Sequence, residues 1–250
     1  MTPSVTGVDA CRGGWVAVTL TNGAVHVAVA KTLDRLTLAR AAGTSAPGTS
    51  AGWTGVTGID MPLGLLPEGW RAADLLARRA LGRRGSCVFA IPPRPVWRQP
   101  CYADANRRCR ELTGRGMSAQ AWGLRDKLLE ADLFRCGAAL SLRGAALSLR
   151  GAALSREPFF EVHPELSFAA LSGAPLAASK HSPDGLAIRR ALLAAAGVIV
   201  PSRVPGAAED DLLDAAAIAW SARRIAAGTA VTLTDPSQRA DDNGEIAIRY

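Results

Sequence analysis

Acidic residues stand where two apolar runs of the chain stop. In Val5-Thr6-Gly7-Val8-Asp9 the aspartate follows an apolar strand pattern and precedes Arg12-Gly13-Gly14. Its carboxylate should therefore leave a sheet beside a tight turn with free backbone N–H groups, a setting that suits an ion. Asp60 ends Gly55-Val56-Thr57-Gly58-Ile59 in the same manner, just before Pro62. A charge at such a place is costly unless it meets a cation or hydrogen-bond donors. Either aspartate alone is explained as a turn residue, but two at equivalent places ask for a shared partner.

Two further clusters carry acids. Glu161-Val162-His163-Pro164-Glu165 reads as a strand end in which period-two alternation puts Glu161, His163 and Glu165 on one side and turns Val162 to the core. That face offers metal ligands or a general base, and equally a hydrogen-bonded structural histidine. In Asp210-Asp211-Leu212-Leu213-Asp214, helical spacing brings Asp214 onto the face of Asp210 and Asp211. The helix dipole favours Asp210 as the cap, whereas Asp214 lies a turn inside and needs another reason. The expectation is that Asp9, Asp60 and the late acids converge on a divalent-metal site.

The elements that must position these residues follow from pattern. Val5 to Asp9, Trp15 to Leu20 and Val25 to Val29 alternate as strands, with the hairpin dipeptides Gly13-Gly14 and Asn22-Gly23 between them, which predicts an antiparallel meander. A helix through Leu33, Leu36 and Arg40 and a Gly/Ser/Thr/Pro loop over 43–52 lead into the Asp60 strand, whose continuous apolar run reads as buried. From about residue 68 to 136 the pattern is that of a helical insertion, with helices over 72–81, 102–112 and 118–136 around a Pro/Arg loop at 91–100. A short strand at 159–163, helices over 185–196 and 210–227, and a final hairpin through Asn243-Gly244 complete an α/β chain.

At 250 residues and 26.0 kDa the chain is of a size for one large core, so a single domain over 1–250 is expected. A composition of 48% hydrophobic and 20% charged residues excludes a disordered protein. The start Met1-Thr2-Pro3-Ser4 lacks the order of a signal peptide and no apolar run is long enough for a bilayer, so a soluble cytoplasmic protein with no membrane partner is expected. The five cysteines include no C-x-x-C pair and are read as reduced thiols rather than zinc ligands.

The net charge of +7 favours an anionic partner. It is concentrated between Arg78 and Arg115, where ten arginines face only Asp104 and Glu111. That stretch is either a phosphate-binding footprint or the solvated face of a chain that prefers arginine to lysine. The heptapeptide Gly-Ala-Ala-Leu-Ser-Leu-Arg at 137–143 recurs at 144–150 and begins again at Gly151. A glycine in every unit disfavours a helix, so 137–156 is read as a duplicated, functionally silent connector.

Five segments in this order resemble a bacterial family of unknown function described as predicted RNase H-like nucleases. They are Gly7-Val8-Asp9-Ala10-Cys11-Arg12-Gly13-Gly14-Trp15, Ile59-Asp60-Met61-Pro62-Leu63-Gly64-Leu65, Ser86-Cys87-Val88-Phe89, Glu161-Val162-His163-Pro164-Glu165 and Asp210-Asp211-Leu212-Leu213-Asp214-Ala215. The resemblance implies a ribonuclease H-like mixed sheet, three antiparallel strands continued by parallel ones, flanked by helices and carrying the helical insertion. In the wider superfamily, acids on the first strand, the fourth strand and a late helix bind two divalent ions, and Asp211 to Ala215 is similar to the late acidic motif of Holliday-junction resolvases. The heptapeptide repeat has no counterpart there.

The resemblance thus implies metal-dependent hydrolysis of nucleic-acid phosphodiesters. Asp9 would bridge two Mg²⁺ or Mn²⁺ ions about 4 Å apart, and Asp60 with Asp211 or Asp214 would complete an oxygen shell. Glu161 or His163 would orient or deprotonate water. Arg12, Arg78, Arg83, Arg84 and Lys180 would hold phosphates. Two other readings stand beside it. One is a catalytically silent nucleic-acid- or protein-binding adaptor with the same fold. The other is an actin-like ATP-dependent phosphotransferase, which needs a duplicated domain for which 250 residues hardly leave room.

Overall fold

The computed structural model describes residues 4–22, 24–36, 55–135, 159–242 and 244–250. The heptapeptide repeat at 137–156, the loop at 43–52 and the helix expected beyond Leu36 lie outside them. Strands β1 (Ser4–Cys11), β2 (Gly14–Thr21) and β3 (Ala24–Ala30) form the expected meander, with β1 antiparallel to β2 and β2 antiparallel to β3. The first connection is tighter than the dipeptide suggested: Cys11 pairs with Gly14, so the loop is Arg12-Gly13 and Gly14 already belongs to β2. Gly14 has φ 143° there, and a Cβ on it would lie 2.1 Å from the Ala30 carbonyl, so only glycine fits.

Strand β4 (Gly55–Ile59) runs parallel to β1, β5 (Phe159–Val162) parallel to β4, and β7 (Glu245–Arg249) parallel to β5, with β6 (Thr232–Arg239) antiparallel on the edge. The seven-stranded order is β3-β2-β1-β4-β5-β7-β6, three antiparallel strands continued by parallel ones and closed by the C-terminal hairpin.

Helices cover both faces. On one lie α6 (Pro164–Ser172), α7 (Pro183–Ala195) and α8 (Glu209–Ala226), which bury Val5, Val16, Val18 and Leu20 of the sheet against Leu212, Leu213 and a run of alanines. On the other, the insertion supplies α2 (Arg94–Trp97), α3 (Tyr102–Thr113), α4 (Ala119–Gly123) and α5 (Arg125–Arg135), packed over Val8, Trp15 and Ile59. The helix expected over 118–136 is thus divided at Leu124, whose N–H bonds to Ala121 while its carbonyl starts the next helix through Leu128. The remaining insertion helix, α1 (Ala72–Leu81), packs with β7 and α6 instead. Among the described residues no helix is long and apolar enough to cross a membrane.

The insertion is tied down by charge at its far end. Arg94 makes a two-pronged contact with Asp132 (2.7 and 3.1 Å) and also grips Asp241 in the β6–β7 turn. Arg135 meets Asp242 of the same turn at 2.6 Å, and the Phe134 ring packs on Phe159 with centroids 5.4 Å apart.

The position of α8 depends on missing side chains. A Cβ on Gly7 would lie 2.1 Å from the Ala215 carbonyl oxygen and 2.2 Å from the Ala219 nitrogen, and one on Gly58 would lie 2.8 Å from Ile218. The helix backbone therefore rests directly on β1. Gly7→Ala should destabilise the protein by about 3 kcal/mol in urea unfolding, because backbone atoms cannot swing aside. Gly123→Ala, where a Cβ meets nothing, should stay within about 1 kcal/mol of wild type. Equal effects of the two changes would show that α8 is free to shift.

Candidate metal centre

In the parallel pair of β1 and β4, Val8 is aligned with Ile59, and the Asp60 N–H donates to the Val8 carbonyl at 2.9 Å. The next residue on each strand is therefore an aspartate at the same level. Adjacent strands are about 5 Å apart, so Asp9 and Asp60 leave one sheet edge a single strand spacing from each other. Asp9 is two residues beyond Gly7 and Asp60 two beyond Gly58, so both project to the side of α8. Asp214 precedes Ala215, whose carbonyl sits on Gly7, and the close approach of the helix brings this third carboxylate down beside the first two.

Asp9 and Asp214 are buried, 5% and 1% exposed, and Asp60 is half-buried. The electrostatics are those of acids crowded away from water. Burial raises Asp9 well above the usual carboxylate range, and Asp60 and Asp214 raise it further against the pull of Lys180. Burial likewise lifts Asp60 to about 7 and Asp214 to about 6, Lys180 opposing both shifts and Glu165 adding to both.

Lys180 is the cation these acids share. Its Nζ donates to Asp214 Oδ2 at 2.6 Å, and its charge acts on Asp9 and Asp60 as well. Burial works against the ammonium, but the surrounding carboxylates outweigh it and raise its pKa. The Asp214 Oδ1 atom is buried and has no hydrogen-bond partner.

Glu165 and His163 flank this group. His163 is the N-cap of α6, and Pro164 and Glu165 open its first turn. Glu165 is held by Arg189 at 2.5 Å and approached by Arg84 at 3.5 Å, leaving Oε2 buried and unpartnered. Burial lowers the pKa of His163, opposed by Glu165, Asp214 and the nearby Cys87 backbone, and its Nδ1 is buried without a hydrogen-bond partner. Among the expected site residues, the structure brings together Asp9, Asp60, Asp214, Lys180 and His163, with Arg84 beside them.

Glu161 goes elsewhere. Val162 shares the α8 side with Gly58, where a Cβ would touch it at 2.9 Å, so Glu161 points to the opposite face. There it accepts from the Leu63 N–H (2.7 Å) and the buried Arg71 (2.5 Å), and burial lifts it to about 7 against the pull of Arg71. The alternation expected through Glu165 fails because the strand ends at Val162 and a helix begins at Pro164. Proline after a capping position is a helix-start signal that would have placed Glu165 with the acids instead. Asp210 is not the cap of α8 either, since Ala208 occupies that position. Asp210 meets His181 at 3.2 Å, and Asp211, half-buried, accepts from the Ala208 N–H at 3.4 Å. Arg12 is exposed in the β1–β2 turn, and Arg78 and Arg83 are exposed at the end of α1 and in the following 3₁₀ turn Gly82–Cys87.

A family model described as a protein of unknown function (DUF429) matches residues 7–239. The chain belongs to this family. No curated protein and no solved structure matches it. The DUF429 match opens at Gly7, the residue under α8, and spans Asp9, Asp60, Glu165, Lys180 and Asp214.

The donor chemistry, all carboxylate oxygen at its centre with one buried oxygen unsatisfied, fits a hard divalent cation. The arrangement, however, is built around Lys180: among the described residues no three His, Cys, Asp or Glu side chains are disposed to hold one metal ion.

The raised carboxyls make stability depend on pH. Asp9, Asp60, Asp214 and Glu161 bind their protons more tightly when folded than in the unfolded chain, so their contribution is complete below the ordinary values of 3.8 and 4.5. It is lost as pH rises through the folded values, which for three of them are about 6 to 7, while His163 runs the other way. In chelator, the melting temperature should fall from about pH 5 to about pH 8, and Asp60→Asn should flatten that fall. A melting temperature that rises over this interval would contradict the crowding of the acids.

Proposed function

We propose that the chain is a divalent-metal-dependent phosphodiesterase of ribonuclease H-like fold acting on nucleic acid. The observation that carries this reading is the meeting of Asp9, Asp60 and Asp214, from the first strand, the fourth strand and the late helix, at one sheet edge. The strand order β3-β2-β1-β4-β5, with its change from antiparallel to parallel at β1, supports the fold. Asp9, Asp60 and Asp214 would hold Mg²⁺ or Mn²⁺ only with Asp214 released from Lys180, since as they stand no three such side chains among the described residues are disposed to hold one ion; when bound, the ion supplies an activated water and positive charge toward a phosphoryl oxygen.

The chain's own residues suit the rest of that task. Burial lowers the pKa of His163 and so favours its neutral form, the one with a free nitrogen lone pair for a proton. The 3₁₀ turn Gly82–Cys87 carries Arg83 outward while its Arg84 contacts Glu165, which links the arginine-rich stretch to the acids. Arg78, Arg79 and Arg83 are exposed and make no ion pair among the described residues, leaving them available to phosphates. One observation favours the adaptor reading instead: Lys180 already neutralises part of the carboxylate charge.

Calorimetry with Mg²⁺ or Mn²⁺ decides between them. Wild type should bind metal at millimolar concentration and cut a nucleic-acid substrate, while Asp9→Asn and Asp60→Asn should abolish both without lowering metal-free stability, since each removes a repelling charge. With no binding and no cleavage, the adaptor reading takes the place of the nuclease. The arginines are tested separately: replacing Arg78, Arg79 and Arg83 by alanine should flatten the dependence of log K on log salt for nucleic-acid binding through lost counterion release. An unchanged slope would leave their charge as surface composition only.

A further inference from the structure

We infer that the cleft between α1, the 3₁₀ turn Gly82–Cys87 and the loop joining α3 to α4 holds a nucleoside monophosphate unit, with its base beside Trp70 and its phosphate on Arg78 and Arg115. The inference deepens the reading above, and the choice of a nucleotide among aromatic anions rests on that reading. The cleft has a volume of about 470 Å³, within the range of small-molecule sites. Trp70 and Phe89 give it aromatic surface, Ser86 a hydroxyl, and Arg78 and Arg115 positive charge. No acid lines it, and among the described residues neither arginine is in an ion pair. A flat apolar group that carries negative charge is the ligand this combination suits.

Two features of the lining point the same way. Leu75 is 37% exposed in the cleft, one turn before Arg78 on the same side of α1, whereas Ala73, Ala77 and Leu81 of that helix are buried. The Arg115 guanidinium rests over the Trp70 ring with its carbon 5.2 Å from the ring centroid. Indole and guanidinium both stack on nucleobases, so the pair offers a base either surface. The indole Nε1 is covered, so the ring carbons are what Trp70 shows to the cleft.

The walls are fixed in advance. The Gln238 side chain of β6 donates to the Trp70 carbonyl (3.0 Å) and accepts from the Ala72 N–H (2.7 Å). The Arg115 loop is tied to α3: the Thr113 hydroxyl donates to the Arg115 carbonyl (2.9 Å), and Asn106 accepts from the Met117 N–H (3.0 Å). A Cβ on Gly85 would lie 2.5 Å from the Arg78 carbonyl oxygen, so the 3₁₀ turn is seated against the end of α1. Walls ordered before binding remove part of the entropy cost that a ligand otherwise meets. The same turn joins the cleft to the acids. Ser86 lines the cleft, Arg84 reaches Glu165 at 3.5 Å, and the Cys87 thiol is pushed up to about 11 by burial, with the charges of Glu165 and Asp60 adding to the rise. A strand anchored by one nucleotide in the cleft would cross that turn toward Asp60 and Glu165.

The test is calorimetric titration of the full chain in chelator, which removes any contribution from metal. AMP should bind, and adenosine and inorganic phosphate should each bind about tenfold more weakly. Arg78→Gln and Arg115→Gln, both at exposed positions, should each weaken AMP by about tenfold, the loss expected for one charge-assisted hydrogen bond, and should leave adenosine and the melting temperature unchanged. Trp70→Leu should weaken AMP and adenosine alike, and the arginine variants decide if it fails to fold. A tetradeoxyadenylate with a 5′-phosphate separates the sources. Tighter binding than AMP marks the end of a strand and weaker binding a free mononucleotide, and either supports the cleft. No AMP binding, phosphate as tight as AMP, or AMP affinity unchanged in both arginine variants would overturn the inference. Metal-dependent cleavage without AMP binding would leave the phosphodiesterase reading intact, whereas AMP binding without cleavage would sink that reading alone.

Discussion

The contact between the α8 backbone and β1 at Gly7 governs most of what this molecule can do. A helix normally stands off a sheet by the thickness of two layers of side chains. Here one layer is missing at Gly7 and Gly58, and the alanines of α8 thin the other, so helix and strand meet backbone to backbone. The consequence for chemistry is distance. A short side chain such as aspartate on α8 can reach the level of aspartates on β1 and β4 only because the intervening space has been removed. The apolar packing of Val5, Val16 and Val18 against α8 then holds that approach against the repulsion it creates.

The same sheet separates two buried charge systems. On the α8 face, Asp9, Asp60 and Asp214 share Lys180. On the other, Arg71, 0% exposed, serves both Glu161 and Asp74, and Asp74 also accepts the Ile91 N–H at 2.8 Å. The second system satisfies its acids with a fixed guanidinium and backbone donors, which is how a fold stabilises an ion pair for architecture. The first leaves a carboxylate oxygen unsatisfied. Two clusters of similar composition thus differ in what they leave open, guanidinium nitrogens of Arg71 in one and a carboxylate oxygen of Asp214 in the other.

Much of this was legible in the residues. Asp9 and Asp60 could be paired from sequence because each ends an apolar run, and a strand's end is marked by its own pattern. Asp214 was legible because capping explains an acid only in the first turn of a helix. Glu161 and Glu165 were harder: they are four apart, and choosing between them needs the point at which strand becomes helix, a boundary set by Pro164 and by the pairing of Glu161 with Ile248 of β7. Lys180, expected to hold a phosphate, is instead paired with Asp214, a partner that lies 34 positions away and that only the turn over α7 brings to it. The division of the 118–136 helix at Leu124 has no strong breaker beyond Gly123, and tertiary packing of Ala121 and Leu128 into the core decides it.

The ring contact between Phe134 and Phe159 bears on how the chain's length can change. The two residues are 25 positions apart in sequence and 5.4 Å apart between ring centroids, and Arg135 is independently held by Asp242. Both ends of the intervening stretch are thus stapled by side chains outside it. The entropy of holding two fixed ends together grows only with the logarithm of the number of residues between them, so seven residues more or fewer change it by a few tenths of a kcal/mol, on the order of thermal energy. By that measure the number of Gly-Ala-Ala-Leu-Ser-Leu-Arg units can change while β5, and with it His163 and Glu165, keeps its register beside β4.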